Sequence, residues 1–275
     1  MLWFKKSFCE IHPICYKISV QKEVIKRHIS DFFSKEKFAK TKSEDKLPKV
    51  ISSFSTTMIK RAPGVDPVSQ INKAENIRIA GSNINNTLIR PGETFSFWHS
   101  VGKITRRKGY KDGRILSSKG LVMGLGGGLC NLGNSLNRIV LQSPLSVTEF
   151  HTHSDALAPD EGKRIPLASG TSVSYNYVDY RFRNNTDNTF QLIMWCEEDD
   201  FFCELRAEKP VEFSYKLIEE DHHFRKEGRK FYHLSKLYRV TYDKNGIETA
   251  KDLIWDNHSE VMFDYSLIPE ELIRE

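Results

Sequence analysis

The sequence contains no apolar run that is long enough to cross a membrane. A membrane-spanning helix needs about 20 consecutive apolar residues, and charged or polar residues interrupt each apolar stretch of this 275-residue chain well before that length. Near the start, Cys9, Glu10, His12 and Pro13 break up the first apolar residues, so the hydrophobic segment of a signal peptide is missing. We therefore expect no membrane span and a cytoplasmic location, with association with the cell envelope as the alternative.

Neither sign of charge is in strong excess. The 41 basic and 36 acidic residues give a net charge of +5, and this excess is too small to indicate binding to nucleic acid. We expect no nucleic acid partner, although a mild positive charge is compatible with attraction to an anionic polymer or membrane surface.

The cysteines form no C-x-x-C pair, which excludes a zinc ribbon and a thioredoxin-type redox motif. Their number is odd and their spacing is irregular: Cys9, Cys15, Cys130, Cys196 and Cys203. Free thiols of this kind suit a reducing compartment. We expect no cofactor, and we assign no metal ligand from these spacings.

Helical spacing of apolar residues occurs early in the chain. Residues 18–33 predict a helix with one side formed by Val24, Ile25, His28, Ile29 and Phe32. A second helix is predicted from residue 68 to residue 88. Its N-cap is expected at Asp66, ahead of a proline in the first turn.

Strand-like alternation dominates the rest of the chain. Residues 50–55 and 94–98 predict short strands, whereas the basic, glycine-punctuated residues 101–120 read as a loop. Alternation from residue 172 onward predicts a β-meander, and Asn245-Gly246 predicts a hairpin turn. We therefore expect an α+β fold with a helical N-terminal part, a central helix on a mainly antiparallel sheet, and C-terminal β-hairpins.

Composition divides the chain into three parts. Residues 40–48 are polar and end in proline, as a linker does. We expect a helical N-terminal extension over 1–49, a central domain over 50–210 and a β-rich C-terminal extension over 211–275.

Three consecutive glycines lead into Cys130 at the start of the central helix: Gly126, Gly127 and Gly128. From Leu129 onward the apolar residues recur at helical spacing. The N-terminus of a helix favours a thiolate, so this position predicts a cysteine of lowered pKa that acts as a nucleophile. The alternative is a small, buried and inert cysteine.

Acyl transfer through a thiol also needs an imidazole, a group that orients it and an oxyanion donor. His151 and His153 are both candidates, because residues two apart in an extended segment point the same way. Asp155 is a nearby carboxylate. The backbone N–H groups of Gly128 to Cys130 are the expected oxyanion donors, at the end of the loop Gly126, Gly127, Gly128 and Leu129.

Five stretches, in this order, resemble the VanW family: Asn83-Ile84-Asn85-Asn86, Arg90-Pro91-Gly92-Glu93-Thr94-Phe95-Ser96-Phe97, Gly126-Gly127-Gly128-Leu129-Cys130-Asn131-Leu132, Glu149-Phe150-His151-Thr152-His153 and Val178-Asp179-Tyr180-Arg181-Phe182-Arg183-Asn184. The resemblance covers roughly residues 50–210. It implies a role connected with the cell envelope and glycopeptide resistance. The Gly-Gly-Gly-x-Cys stretch is also similar in style to the catalytic cysteine stretch of L,D-transpeptidases.

The resemblance therefore implies a cysteine-dependent acyl-transferase whose partner is peptidoglycan or its precursor peptides. It favours His153 over His151 as the partner of Cys130, and it makes Asp179 the orienting carboxylate. The chain departs from the usual family pattern at three positions: Asn131 for Gln, Phe150 for Arg and Gly170 for Asp.

Two other classes of function remain open from the sequence. The departures at Phe150 and Gly170 remove charges near the expected site, which favours a non-catalytic module that binds peptidoglycan precursors or a protein partner. One cysteine, two histidines and an aspartate could also bind zinc, although their spacing is not diagnostic.

Overall fold

A computed structural model describes residues 11–61, 66–117, 120–152, 170–175 and 178–274. The helices of these ranges are α1 (Pro13–Phe33), α2 (Pro67–Ile84), α3 (Phe97–Val101) and α4 (Leu129–Leu141). The strands are β1 (Lys37–Phe38), β2 (Lys49–Thr57), β3 (Leu88–Ile89), β4 (Glu93–Ser96), β5 (Asp112–Ser117), β6 (Gly120–Leu125), β7 (Ser146–Glu149), β8 (Arg181–Arg183), β9 (Phe190–Glu197), β10 (Asp200–Ala207), β11 (Ser214–Glu227), β12 (Lys230–Tyr242), β13 (Glu248–Glu260) and β14 (Ile273–Arg274).

The strands form three four-stranded sheets and one hairpin. The sheets have the strand orders β1-β4-β8-β7, β2-β10-β9-β3 and β13-β12-β11-β14, and β5 pairs with β6. Within the described ranges, the parallel pairs are β1 with β4 and β11 with β14, and the other pairs are antiparallel. The predicted α+β class, with a mainly antiparallel sheet, is confirmed.

The main core lies between α2, α4 and the β2-β10-β9-β3 sheet. The predicted apolar face of α4 is fully inside it, with Leu132, Leu136, Ile139 and Val140 at 0% exposure. Asp66 caps α2 as predicted, accepting hydrogen bonds from the N–H groups of Val68 and Ser69.

The C-terminal sheet is built on long antiparallel strands. The predicted hairpin turn is confirmed between β12 and β13, where Gly246 adopts a φ of 78°. A small second core of Phe224, Val261 and Ile268 lies under this sheet.

Two local predictions are corrected. The strand predicted over residues 94–98 ends at Ser96, whose hydroxyl accepts a hydrogen bond from the His99 N–H and starts the short helix α3. Residues 101–120, which were expected to be a loop, contain strand β5. This strand pairs with β6, with Asp112 opposite Leu125. Basic and glycine residues conceal the alternation of these strands.

The segment expected to be a linker is hydrogen bonded to neighbouring strands. The N–H of Leu88 donates to the Thr41 carbonyl, and the Ser43 N–H donates to the Asn86 carbonyl. The Gln191 side chain donates to the carbonyls of Ser43 and Asp45. Residues 41–45 therefore lie against β3 and β9.

Helix α1 confirms the predicted helix, and most of its apolar residues are exposed. Val24 is 7% exposed, whereas Ile25, Ile29 and Phe32 are 57%, 54% and 83% exposed. No helix in the described part of the chain has the length and apolar character needed to span a membrane.

Candidate functional site

Cys130 lies in the first turn of α4, as the sequence predicts. The residue is partly buried, and its thiol donates to the Val173 carbonyl oxygen at 3.9 Å. Burial raises the pKa of the Cys130 thiol above its ordinary value of 9.0. The expectation of a lowered pKa is therefore wrong, because the loss of hydration outweighs the lowering effect of hydrogen bonds with the backbone of Val173 and of Cys130 itself.

The three glycines allow backbones to pack closely. A Cβ atom on Gly127 would lie 2.2 Å from the carbonyl carbon of Gly113 in β5. Gly128 has a φ of +99°, and a Cβ there would lie 2.3 Å from Cγ of Lys73 on α2. The Asn76 side chain donates to the Gly127 carbonyl at 2.9 Å, which ties this loop to α2. Packing thus accounts for glycine at these positions.

Three backbone N–H groups of the glycine loop already have backbone acceptors, and that of Leu129 is one of the expected oxyanion donors. The Gly126 N–H donates to the Lys111 carbonyl at 3.0 Å, and the Gly127 N–H donates to the Gly124 carbonyl at 3.3 Å. The Leu129 N–H donates to the Gly126 carbonyl at 3.4 Å. These donors stabilise the turn instead of converging near the Cys130 thiol.

His151 pairs with Glu149. Its Nε2 lies 2.9 Å from Glu149 Oε1, and its side chain is 39% exposed. In the described ranges, no imidazole is hydrogen bonded to Cys130. His153 and Asp155, which were also candidates, lie outside the described residues.

Asp179 is fully buried and holds the surrounding backbone in place. It accepts hydrogen bonds from Ser96 Oγ at 2.5 Å, Arg181 Nε at 2.7 Å, and the N–H groups of Tyr180 and Trp98 at 2.9 and 3.1 Å. No histidine is among the hydrogen-bond partners that the structure describes for Asp179. The carboxylate that contacts His151 is that of Glu149.

Arg181 connects Asp179 to a larger group of charged residues. Its two terminal nitrogens each lie 2.8 Å from an oxygen of Asp31 on α1, and His99 Nε2 lies 2.9 Å from Asp31 Oδ2. Arg27, also on α1, forms a bidentate pair with Glu149 at 2.7 and 2.6 Å. These contacts attach the N-terminal helix to the β1-β4-β8-β7 sheet.

The ion pairs control the protonation of both carboxyls. Burial acts to raise the pKa of Asp31, but the hydrogen bonds and charges of Arg181 and His99 outweigh it, so the pKa lies below 3.8. Burial likewise acts to raise the pKa of Glu149, but Arg27, His151 and Arg181 together lower it below 4.5. Both side chains are therefore ionised at neutral pH.

A cleft of about 390 Å³ opens between α4, β7 and the C-terminal sheet. Leu145, Val147 and Phe150 line one side, and Arg239 and Trp255 line the other. The rings of Phe150 and Trp255 meet edge to face with centroids 5.6 Å apart. Phe150 thus forms part of an aromatic wall.

Two donors of this lining are buried without an acceptor. Within the described residues, Trp255 Nε1 and Arg239 Nε have no hydrogen-bond partner. Arg239 forms an ion pair with Asp252, whose Oδ2 lies 3.6 Å from a terminal nitrogen of the guanidinium. Unsatisfied buried donors are uncommon in folded proteins and favour a site that an acceptor completes.

Sequence reasoning did not find the cleft or the ion pairs. Arg181 lies inside a motif that was singled out, but its partner Asp31 is 150 residues away. Trp255 was read only as part of a C-terminal strand. The described ranges contain no group of three or more His, Cys, Asp and Glu side chains that could hold a metal ion.

Comparison with known proteins agrees with this arrangement of motifs. The sequence profile described as "VanW like protein" matches residues 72–206, which include α4, β8 and most of the main core. The structure is therefore that of a chain with a VanW-like domain.

Two relatives extend the match. The chain is 28% identical over 203 residues to "Vancomycin B-type resistance protein VanW" of Enterococcus faecalis, covering 74% of each chain. It is 32% identical over 116 residues to "Uncharacterized protein YoaR" of Bacillus subtilis, covering 42% of this chain and 37% of that protein. The chain belongs to the VanW family. No solved structure matches it.

Proposed function

We propose that this protein acts in glycopeptide resistance as a non-catalytic binding protein, and that its ligand is the peptide part of peptidoglycan or of its precursors. The observation that carries the proposal is the cleft between α4, β7 and the C-terminal sheet, with its two unsatisfied donors. A mostly apolar cavity with a few convergent polar groups is the usual form of a ligand site.

The lining of the cleft suits a short peptide end. Leu145 and Val147 offer contact to small apolar side chains, and Phe150 and Trp255 offer flat aromatic surfaces. The donors Arg239 Nε and Trp255 Nε1 suit carbonyl or carboxylate oxygens. The arginine also carries a positive charge toward a terminal carboxylate.

The chemistry at Cys130 supports binding over catalysis. A raised thiol pKa leaves little thiolate at neutral pH, and the thiol donates to a carbonyl instead of an imidazole. The proposed ligand class is the one that the resemblance to the VanW family implies, and it agrees with the name of one relative, which refers to resistance to vancomycin.

The test is isothermal titration calorimetry of the full chain with a synthetic stem peptide, that is, the peptide part of peptidoglycan, ending in a free carboxylate. Trp255→Phe removes one indole donor, and Arg239→Lys removes the Nε donor while keeping the charge. Each change should weaken binding about fivefold, the value of one hydrogen bond. Trp195→Phe is the matched control, because Trp195 stacks on Phe202 at the surface of another sheet.

Two results would overturn the proposal. One is the absence of measurable binding to the wild-type protein. The other is equal affinity in the Trp255, Arg239 and Trp195 variants, which would show that the peptide does not bind in the cleft.

A second candidate is a cysteine-dependent acyl-transferase of the L,D-transpeptidase type, with Cys130 as nucleophile and His153 as base. One observation favours it: Thr152 bridges Thr171, two residues before Val173, whose carbonyl contacts the Cys130 thiol. This candidate requires that a carbapenem-like probe label the wild-type protein and not Cys130→Ala. Equal labelling of the two proteins would contradict it.

A further inference from the structure

We infer that α1 docks the protein on an anionic lipid surface, with its exposed apolar stripe in the interface and its lysines on the headgroups. This inference does not depend on the proposed ligand of the cleft. It rests on the way one side of α1 is attached to the domain while the other side is left uncovered.

The attached side of α1 is fixed by charge pairs and one apolar contact. Arg27 binds Glu149, Asp31 binds Arg181, and Val24 is 7% exposed between them. Two bidentate pairs on successive turns prevent the helix from rotating about its axis. The opposite side is therefore held outward as a fixed surface.

That opposite side carries a row of exposed apolar residues, which we call the apolar stripe. At about 100° per residue, its members fall within an arc of about 60° on the helix. They are all more than half exposed: Ile14 at 60%, Ile18 at 54%, Ile25 at 57%, Ile29 at 54% and Phe32 at 83%. An exposed, aligned row of this length is unusual on a soluble protein surface and marks an interaction site.

The charges around the stripe are mostly positive. The exposed lysines on α1 and just after it are Lys17, Lys22, Lys26, Lys35 and Lys37. The acidic residues over the same span are Glu23, which contacts Lys22 and Lys26, and Asp31 and Glu36, which both lie near Arg181. Apolar residues flanked by lysines are the pattern of a helix that lies in a membrane interface.

The positive charges favour an anionic lipid surface over a second copy of the chain as the partner of α1. A second copy of the chain would place its own Lys22 and Lys26 beside those of the first, and like charges would oppose pairing. Anionic phospholipid headgroups instead complement the lysines, while the acyl boundary accepts the isoleucines and Phe32.

The experiment is flotation of the full chain with vesicles of phosphatidylcholine and phosphatidylglycerol, and with vesicles of phosphatidylcholine alone. The wild-type protein should float with the anionic vesicles, and added salt should weaken this binding. Ile25→Ser combined with Ile29→Ser should lower the partition coefficient about tenfold or more. Lys22→Gln combined with Lys26→Gln should lower it on anionic vesicles only.

The matched control is Val68→Ser with Ile71→Ser, two exposed aliphatic residues on α2, at 63% and 51% exposure. This control should bind like the wild type, and thermal melts should show that all variants are folded. Equal binding of the α1 and α2 variants, equal binding to both vesicle types, or no wild-type binding would overturn the inference. So would a concentration-dependent dimer that the α1 variant abolishes, since it would identify a second copy as the occupant.

Discussion

Arg181 and Asp31 form a bidentate ion pair, with both nitrogen–oxygen distances at 2.8 Å, across a separation of 150 residues. Each side chain is 7% exposed. Arg181 also binds Asp179, so one guanidinium satisfies two buried carboxylates. The pair joins the N-terminal helix to strand β8 and makes α1 part of the folded unit.

Arg181→Met should strongly destabilise the protein, because it leaves Asp31 and Asp179 buried without their counter-charge. We expect the free energy of unfolding to fall by about 3–5 kcal/mol. Urea denaturation measures this. Lys230→Met is the control: it removes a surface pair with Glu260, in which the lysine is 53% exposed, and should lower the stability far less than Arg181→Met does. Equal losses would contradict the assigned role of Arg181.

Acid should weaken the attachment of α1. The pKa values of Asp31 and Glu149 are lower in the folded state than their ordinary values of 3.8 and 4.5. Their contribution is therefore present above these ordinary values and is lost as the pH falls through the lower, folded-state values. Urea denaturation between neutral pH and a pH of about 3 should show the loss.

The double variant Asp31→Asn with Glu149→Gln isolates this effect from that of other carboxyls. It should be less stable than the wild type at neutral pH, and its stability should fall less on acidification. A variant whose stability fell by the same amount as the wild type would show that the two carboxyls do not carry the pH dependence.

The Cys130 thiol should alkylate slowly at neutral pH. Because burial raises its pKa above 9.0, the rate with iodoacetamide should keep rising up to that pH without an earlier plateau. Peptide mass spectrometry reports each cysteine separately. Cys203, whose pKa burial raises to about 12, is the internal reference and should react more slowly still. A plateau near neutral pH would indicate an activated nucleophile.

Gly127→Ala should destabilise the fold, because the new Cβ would lie 2.2 Å from the backbone of Gly113. We expect a loss of about 2–4 kcal/mol by thermal or urea unfolding. Gly81→Ala is the control, since a Cβ there would make an ordinary 3.5 Å contact with Phe201. Its stability should change by less than about 1 kcal/mol. Comparable losses in both variants would refute the packing explanation for the glycine run.

Local patterns were enough to predict much of the fold. The spacing of Leu132, Leu136 and Ile139 predicts α4 because a buried helix needs one continuous apolar face. Asn245-Gly246 predicts its hairpin because only a few residues accept the backbone of that turn. Both features are decided by neighbours in the sequence.

Long-range contacts explain what the sequence could not reveal. The glycines before Cys130 suggest a flexible loop around a reactive thiol, yet their close neighbour Gly113 lies on a hairpin that the sequence did not indicate. The apolar residues of α1 predict the helix, but they do not reveal that Arg27 and Asp31 attach its other face to the domain. Neither relationship leaves a periodic signal.

The most direct test of the account compares the affinity of the wild-type protein and Cys130→Ala for the same stem peptide, with intact-mass measurement of each mixture. A binding protein predicts affinities that agree within about twofold, because the cleft does not include the thiol. It also predicts no covalent adduct. Loss of binding in Cys130→Ala, or a peptidyl thioester on the wild-type protein, would contradict the central claim.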